Sequence, residues 1–516
     1  MRIAIRLVIM VRKDFYLLGI LWLIALLIFL PLFYSEYIYT DEVAEIWEYN
    51  TIPGHQMFTD DGRWLAEQMH SLLFKAIDTI QEVTRLRFIS LFGWLLCLPV
   101  WYLVIKRLVA NVPAYEYLPF VVCAYLITSL PFLISVQWAA CMQFFIADTV
   151  ALLSGTIALK CIQCQHDKPV KRIAAGLVSA GLGLASLFLY QSAYACFLIP
   201  FLLYFLNPFA NRKEKVLVLG LTFHLVVCAV YFLLYKLTFS IYDNFSEPTR
   251  NSLFLQPVEK LKFFVARPLE RSFRFTLLTN EENAISRLYY AVMLLMLVVL
   301  AFSRFQIKKW QLAVKYLAGI GCVWVISYLP PLLIREYYPS NRTLMALNLC
   351  VFIVCLEMGL WFIKNKRVLQ ICGIAMICFF TLCARYNFQK VFLRPIVDET
   401  AALKGYFKQH FTSSIQTIHF IQPLEDFVSK KYKVNWSMDE LGVPSTFADW
   451  VPESLSKQLI YEATGNRQQA ARVVVKRWSS KEDYLNAHEV LNSSILLVDV
   501  PAILNAEMPG KPVIKD

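Results

Sequence analysis

Eleven separate stretches of this chain are apolar over about 15 to 24 residues each, and that repetition limits the fold more than any motif does. They run Phe15 to Tyr34, Phe88 to Ile105, Tyr117 to Ser135, Trp138 to Leu159, Ile173 to Leu189, Ser192 to Leu206, Val216 to Phe239, Leu288 to Ser303, Leu312 to Ile334, Thr343 to Ile363 and Val368 to Phe388. About 30 Å of hydrocarbon at 1.5 Å of rise per residue needs roughly 20 mostly apolar residues, so each stretch reads as a membrane-spanning helix. The fifth and sixth form one block, divided at the polar Tyr190-Gln191. With 58% hydrophobic residues, 17% charged residues and a mean hydropathy of +0.51, an ordinary water-soluble chain is excluded.

The charges orient these helices. There are 50 Lys+Arg against 38 Asp+Glu, but from Val391 onward the count is 14 basic to 15 acidic, so the surplus lies in the membrane half. It clusters in alternate connections, at Lys106-Arg107, at Lys160, Lys168, Lys171 and Arg172, at Arg212, Lys213 and Lys215, at Arg304, Lys308 and Lys309, and at Lys364, Lys366 and Arg367. Arg2, Arg6, Arg12 and Lys13 precede the first helix. Short cytoplasmic loops are enriched in Lys and Arg, which places the amino terminus inside and the carboxyl-terminal tail outside. The surplus is thus explained by orientation, and nucleic acid is not an expected partner. The first helix reads as an uncleaved anchor, because its apolar stretch is long and no small-residue cleavage site follows. The expected fold is an all-α polytopic membrane protein of about eleven spans over residues 1–390, with a small α/β domain at 391–516 on the outer side.

That tail reads as a helix from Pro395 to Phe411, β-type runs at Ile415 to Ile421, Ala471 to Val475 and Ser494 to Val500, a helix near Glu453 to Ala463, and a Pro- and Trp-containing loop between them. Its size suits independent folding. It has no nucleophile elbow, Gly-rich phosphate loop or paired metal ligands, so a structural or acceptor-contacting role is assigned to it. All 13 cysteines lie at or before Cys383, so no disulfide framework is expected. Cys161 and Cys164 have Cys-x-x-Cys spacing with His166 nearby, but no second ligand pair accompanies them, which argues against zinc. The loop 240–287 holds a basic amphipathic stretch, Val258 to Phe275, suited to a membrane surface or to packing on that loop.

The first long loop, residues 35–87, carries two acidic pairs, Asp41-Glu42 and Asp60-Asp61, the second followed by Gly62-Arg63-Trp64. Carboxylates crowded beside a membrane repel one another and cost desolvation energy; they serve solvation, cation binding, salt bridging or proton transfer. Inside the spans, Gln143, Asp148, Tyr190 and Gln191 stand out, since a polar or ionisable residue there faces a cavity or a partner.

On these residues the chain resembles the phage-type serotype-converting glucosyltransferases that decorate bacterial O-antigen, the Gtr family, and through it the GT-C glycosyltransferases. The pair Asp41-Glu42, the element Asp61 to Trp64, the span around Asp148, the element Leu189-Tyr190-Gln191-Ser192 and the late Pro339-Ser340-Asn341-Arg342 are similar in order, over roughly residues 15 to 390. The tail lies outside the resemblance. The resemblance implies catalysis by the acidic pair Asp41 and Glu42 and a polyprenyl-phosphate sugar donor. Asp60, Asp61, Arg63, Trp64, Asp148, Tyr190, Gln191 and Arg342 would then bind donor or acceptor. The chain departs in having Asp-Glu where two aspartates are usual and no arginine soon after, which leaves open which carboxylate is the base.

The residues themselves fit such chemistry. The cytoplasmic connections are short and lack a dinucleotide fingerprint, so a nucleotide sugar has no domain to hold it. A lipid-linked donor needs none, and its phosphate can meet Arg63 or Arg342 as a charge-assisted fork. The resemblance therefore implies a bacterial inner-membrane enzyme that transfers a sugar, glucose in the family, to a polysaccharide or lipopolysaccharide. Its partners would be membrane lipids, a flippase and a donor-synthesising glycosyltransferase. No cofactor is called for, and a divalent metal is left open. The rival readings are a flippase of lipid-linked sugars, which calls for repeated halves, and an O-antigen-ligase-like enzyme, which calls for a large late outer loop.

Overall fold

In the computed structural model, residues 10–163, 169–241, 254, 256–278, 284–305, 309–335, 337–438, 440–487 and 493–506 are described. Arg2, Arg6, Lys168 and Lys308 of the charge pattern, and Cys164 and His166 of the Cys-x-x-Cys reading, lie outside the described residues. The membrane half comprises α1 (Arg12–Phe29), α2 (Asp41–Thr51), α3 (Trp64–Phe74), α4 (Ile80–Val109), α5 (Leu118–Thr128), α6 (Leu130–Gln137), α7 (Phe144–Gln163), α8 (Pro169–Leu189), α9 (Leu198–Leu206) and α10 (Lys213–Ile241). It continues with α11 (Pro257–Phe264), α12 (Glu270–Ser272), α13 (Ala284–Phe305), α14 (Trp310–Ser327), α15 (Leu329–Leu333), α16 (Met345–Phe362) and α17 (Lys366–Tyr386).

Among the described residues nine helices are long and apolar enough to cross a membrane, or ten if α5 and α6 count as one bent span. This is the architecture of a polytopic helical membrane protein. The count falls short of eleven for two local reasons. At Ser129 the backbone turns extended (ψ 153°), its hydroxyl accepts from the Phe132 N–H at 3.4 Å, and Pro131 follows, so α5 and α6 meet at 52°. At Tyr190 the chain is again extended (φ −162°), and Gln191–Phe197 winds as a 3₁₀ helix, leaving an apolar helix too short to span.

The basic connections gather at one end of the bundle, where charges neutralise each other. Lys106 sits 2.5 Å from Asp14, which also accepts from Tyr102, while Arg304 lies 2.7 Å from Glu357 beside the Tyr115 hydroxyl. The acidic loop and the tail share the other end. There α17 continues through a π-wound segment, Asn387–Leu393, into α18 (Arg394–His410), giving one 45-residue helix across the expected 390/391 boundary.

Beyond it lie β1 (Thr417–Ile421), α19 (Phe427–Tyr432), α20 (Val451–Thr464), β2 (Val474–Trp478) and β3 (Ile495–Asp499). The three strands form a parallel sheet in the order β2-β1-β3, with Thr417 opposite both Val474 and Ile495. Central β1 is buried on both faces from Ile418 to Ile421, with His419 taken into the interior among the apolar residues. Ile38, Val43 and Ile46 of the acidic loop share a core with Leu403, Phe407, Ile418 and Leu455 of the tail, so the two fold as one layer over the bundle. The stretch Val258 to Phe275 forms α11, a π turn and α12; it buries Phe264, Leu269 and Phe273 and leaves Val258, Leu261 and Val265 exposed.

Candidate functional site

A cavity of about 560 Å³ opens between the acidic loop, the Tyr190 break, α10, α15 and the tail. Its geometry starts at Thr40, whose φ of 37° is a strained conformation for a β-branched residue. The Thr40 N–H is held at 2.8 Å by the Ser445 hydroxyl of the tail, and α2 begins at the next residue. Helical periodicity then sorts the carboxylates, because positions i, i+3 and i+7 share a face. Asp41, Ala44 and Glu48 line the cavity. Asp41 Oδ1 accepts the indole N–H of Trp450 at 2.7 Å, and Glu48 accepts from Ser454 and stands 3.2 Å from His55.

Glu42, one residue on, points the other way. It is fully buried and paired with Arg87, and it accepts backbone N–H groups of Tyr39 at 2.8 Å and Ala139 at 2.5 Å. The Arg87 guanidinium also stacks 3.5 Å above the Tyr37 ring. With N–H donors around both oxygens and no place in the cavity lining, Glu42 has the surroundings of an anchoring carboxylate and, unlike Asp41, is not brought to the cavity. The partner of Glu42, Arg87, lies 45 residues later in the chain.

Behind α2 lies a second polar cluster. Glu45 Oε2 meets His70 Nδ1 at 2.6 Å, and His70 Nε2 meets Gln143 at 2.9 Å, all three fully buried or nearly so. Burial pushes the Glu45 carboxyl up to about 7, with His70 opposing. Burial works against protonation of His70, yet Glu45 and Gln143 outweigh it and raise its pKa.

The Asp61 to Trp64 element is a turn built around Gly62, whose φ of 76° suits glycine and where a Cβ would come within 2.5 Å of the Tyr231 hydroxyl. That turn puts Asp61 and Arg63 on the cavity. Arg63 Nε donates to Gln191 at 3.1 Å, its guanidinium lies 5.0 Å from the Tyr190 ring, and Gln191 returns a hydrogen bond to the Asp61 carbonyl at 2.6 Å. Asp60 is not among the lining residues; its carbonyl accepts from Tyr235, and burial beside Asp61 raises its pKa. Trp64 stacks on Phe188 at 4.6 Å, away from the lining. Asp148 is buried within α7, accepts from the Cys196 thiol at 3.3 Å and does not reach the cavity.

Arg342 lines the cavity with its guanidinium 4.5 Å over the Trp138 ring. Its orientation comes from the tail. Glu440, fully buried, accepts from Ser340 Oγ, from Asn341 N and Nδ2 at 2.9 and 2.7 Å, and from Arg342 N and Nε at 3.1 and 3.2 Å. Leu329, Pro330, Pro331, Leu333, Ile334 and Phe232 give the same space an apolar portion.

Of the ten residues singled out by sequence, Asp41, Asp61, Arg63, Tyr190, Gln191 and Arg342 meet at this cavity, while Glu42, Asp60, Trp64 and Asp148 do not. Sequence reasoning missed Glu440, Trp450 and Trp138. The signal for the first two was the Pro- and Trp-containing loop of the tail, since binding residues concentrate on such loops. Among the described residues no three His, Cys, Asp or Glu side chains group to hold a metal ion. Comparison with known proteins gives no match: no family model fits the chain, and no curated protein or solved structure is significantly similar to it.

Proposed function

We propose that the protein is an inverting glycosyltransferase that moves a sugar, glucose by the family resemblance, from a polyprenyl phosphate to a cell-surface glycan. In this reading the cavity end of the bundle faces the outer side of a bacterial inner membrane. One observation supports it: Asp41, Arg63 and Arg342 share a 560 Å³ cavity with the apolar residues of α15 and α10. That combination suits a ligand with an isoprenoid tail, an anionic phosphate and a sugar.

Arg63 and Arg342 hold the donor phosphate. Asp41 accepts the proton of the acceptor hydroxyl as that oxygen bonds to the anomeric carbon. The bond from that carbon to the phosphate oxygen breaks, polyprenyl phosphate leaves with the electron pair, and the single displacement inverts the configuration. The flippase reading has one observation in its favour, the broken α5–α6 pair beside the site.

The test is transfer from polyprenyl-phosphate glucose to polysaccharide released from smooth lipopolysaccharide, at equal amounts of folded protein. Asp41→Asn keeps the shape and removes the basicity, so transfer should fall roughly 10²–10⁴-fold. Near-normal transfer by Asp41→Asn would overturn Asp41 as the base, and transport of the donor without transfer, or no transfer at all, by the unaltered chain would sink the reading.

A further inference from the structure

The tail does more than cover the bundle, because one short segment of it reaches both halves of the cavity. Between Ser437 and Trp450, Glu440 holds the Ser340 to Arg342 element, Ser445 holds Thr40, and Trp450 donates to Asp41. Glu440 and Ser445 are buried and their contacts are anchoring ones. Trp450 differs: it is 52% exposed although its N–H is engaged at 2.7 Å, and its ring lines the cavity mouth. It precedes α20, whose first turn packs on α2, so the ring sits on rigid backbone. A large apolar ring held open to solvent beside a carboxylate is unneeded for packing. It suits a ligand with one apolar face and a rim of hydroxyls.

A pyranose ring has that chemistry, with axial C–H bonds on its face and hydroxyls at its edge. We infer that Trp450 is the platform on which the acceptor sugar stacks, and that its N–H fixes Asp41 beside the hydroxyl that will attack. This rests on the reading of Asp41 as base, and it gives the tail a binding role within that site. The donor is held elsewhere, by Arg63 and Arg342, so the two substrates meet at Asp41 from different sides of the chain.

Two variants separate the parts of this role. Trp450→Phe keeps an aromatic face and loses the N–H; Trp450→Ala loses both. The probe is polysaccharide released from smooth lipopolysaccharide, cast into native gels through which the full-length protein migrates in detergent. The unaltered chain, Asp41→Asn and Trp450→Phe should be retarded alike, and Trp450→Ala should need roughly tenfold more polysaccharide for the same retardation. In the transfer assay Trp450→Ala should raise the KM for polysaccharide by about the same factor and leave that for the donor unchanged, whereas Trp450→Phe should lower kcat. Equal retardation of Trp450→Ala and the unaltered chain, or no retardation of either, overturns the platform. Active Asp41→Asn would instead overturn the base while leaving the weaker retardation of Trp450→Ala relative to the unaltered chain in place.

Discussion

The two faces of α2 use the same side-chain chemistry for opposite ends. On one, Asp41 and Glu48 border a cavity and accept hydrogen bonds from Trp450 and Ser454 of the tail. On the other, Glu42 and Glu45 are fully buried and closed off by Arg87 and by His70. One residue of helical rotation, about 100°, separates a carboxylate that can meet a substrate from one that holds the fold together. What distinguishes them is burial, since a carboxylate shut off from the cavity persists only where charge and hydrogen bonds replace its lost water.

The strongest test of that contrast is to neutralise each neighbour in turn. Glu42→Gln leaves the Arg87 guanidinium buried without its counter-charge, so it should destabilise the protein by about 3–5 kcal/mol. That cost would appear as a lower thermal midpoint in detergent and less folded protein on size exclusion. Asp41→Asn should change stability by about 1 kcal/mol or less. Equal stability of the two variants would break the comparison, because Glu42 would then not be an anchor.

A smaller effect sharpens the cavity side. Arg342 is aimed by Glu440 and Ser340, whereas Arg63 is aimed by Gln191. Losing one charge-assisted contact to the donor phosphate should cost about 1.5–3 kcal/mol, or roughly ten- to hundred-fold in kcat/KM for donor. Arg342→Lys should recover part of this, since a point charge cannot form the planar fork. Equal donor use by Arg342→Ala and the unaltered chain would show that the guanidinium faces no phosphate.

How much of this was legible follows from which signals are local. Apolar length marked the helices long enough to span and the break at Tyr190, because span length is set by the bilayer and not by distant contacts, but it marked neither the break at Ser129 nor α2 and α3 within the acidic loop. The strands of the tail were also legible, each found within a few residues, because β-type patterning is local to each run. The phase of α2 was legible in principle: Asp41, Ala44 and Glu48 form one stripe, but nothing local says which stripe meets a cavity. Arg87 as partner of Glu42, Glu440 as partner of Arg342 and Trp450 as partner of Asp41 lie 45, 98 and 409 residues away in the chain. The first pairing arises only when α4 packs on the loop, and the other two only when the tail folds back over it. The resemblance drew attention to Glu42 and Asp148 by type and order, and neither reaches the cavity.

The smallest expected effect lies on the buried face, in the Glu45–His70 pair, and it is a matter of sign. Glu45 folded releases its proton near 7 and unfolded near 4.5, so across that range the folded state holds a proton the unfolded state has lost. His70 is also raised from its ordinary 6.5, and acts in the same direction. Stability from both groups is therefore full below about 4.5 to 6.5 and is lost as pH rises through their folded values. The expected loss is on the order of 1–3 kcal/mol, read as a thermal midpoint in detergent that falls between about pH 5 and pH 8 relative to Glu45→Gln. In that variant His70 keeps its burial but loses the carboxylate that raised it, so its folded pKa should drop below 6.5 and its own contribution should grow as pH rises. The difference between the two midpoint curves should thus slope downward with pH. A flat or rising difference would mean that Glu45 and His70 are not coupled as the 2.6 Å contact requires, and the inner face of α2 would then be held by Glu42 and Arg87 alone.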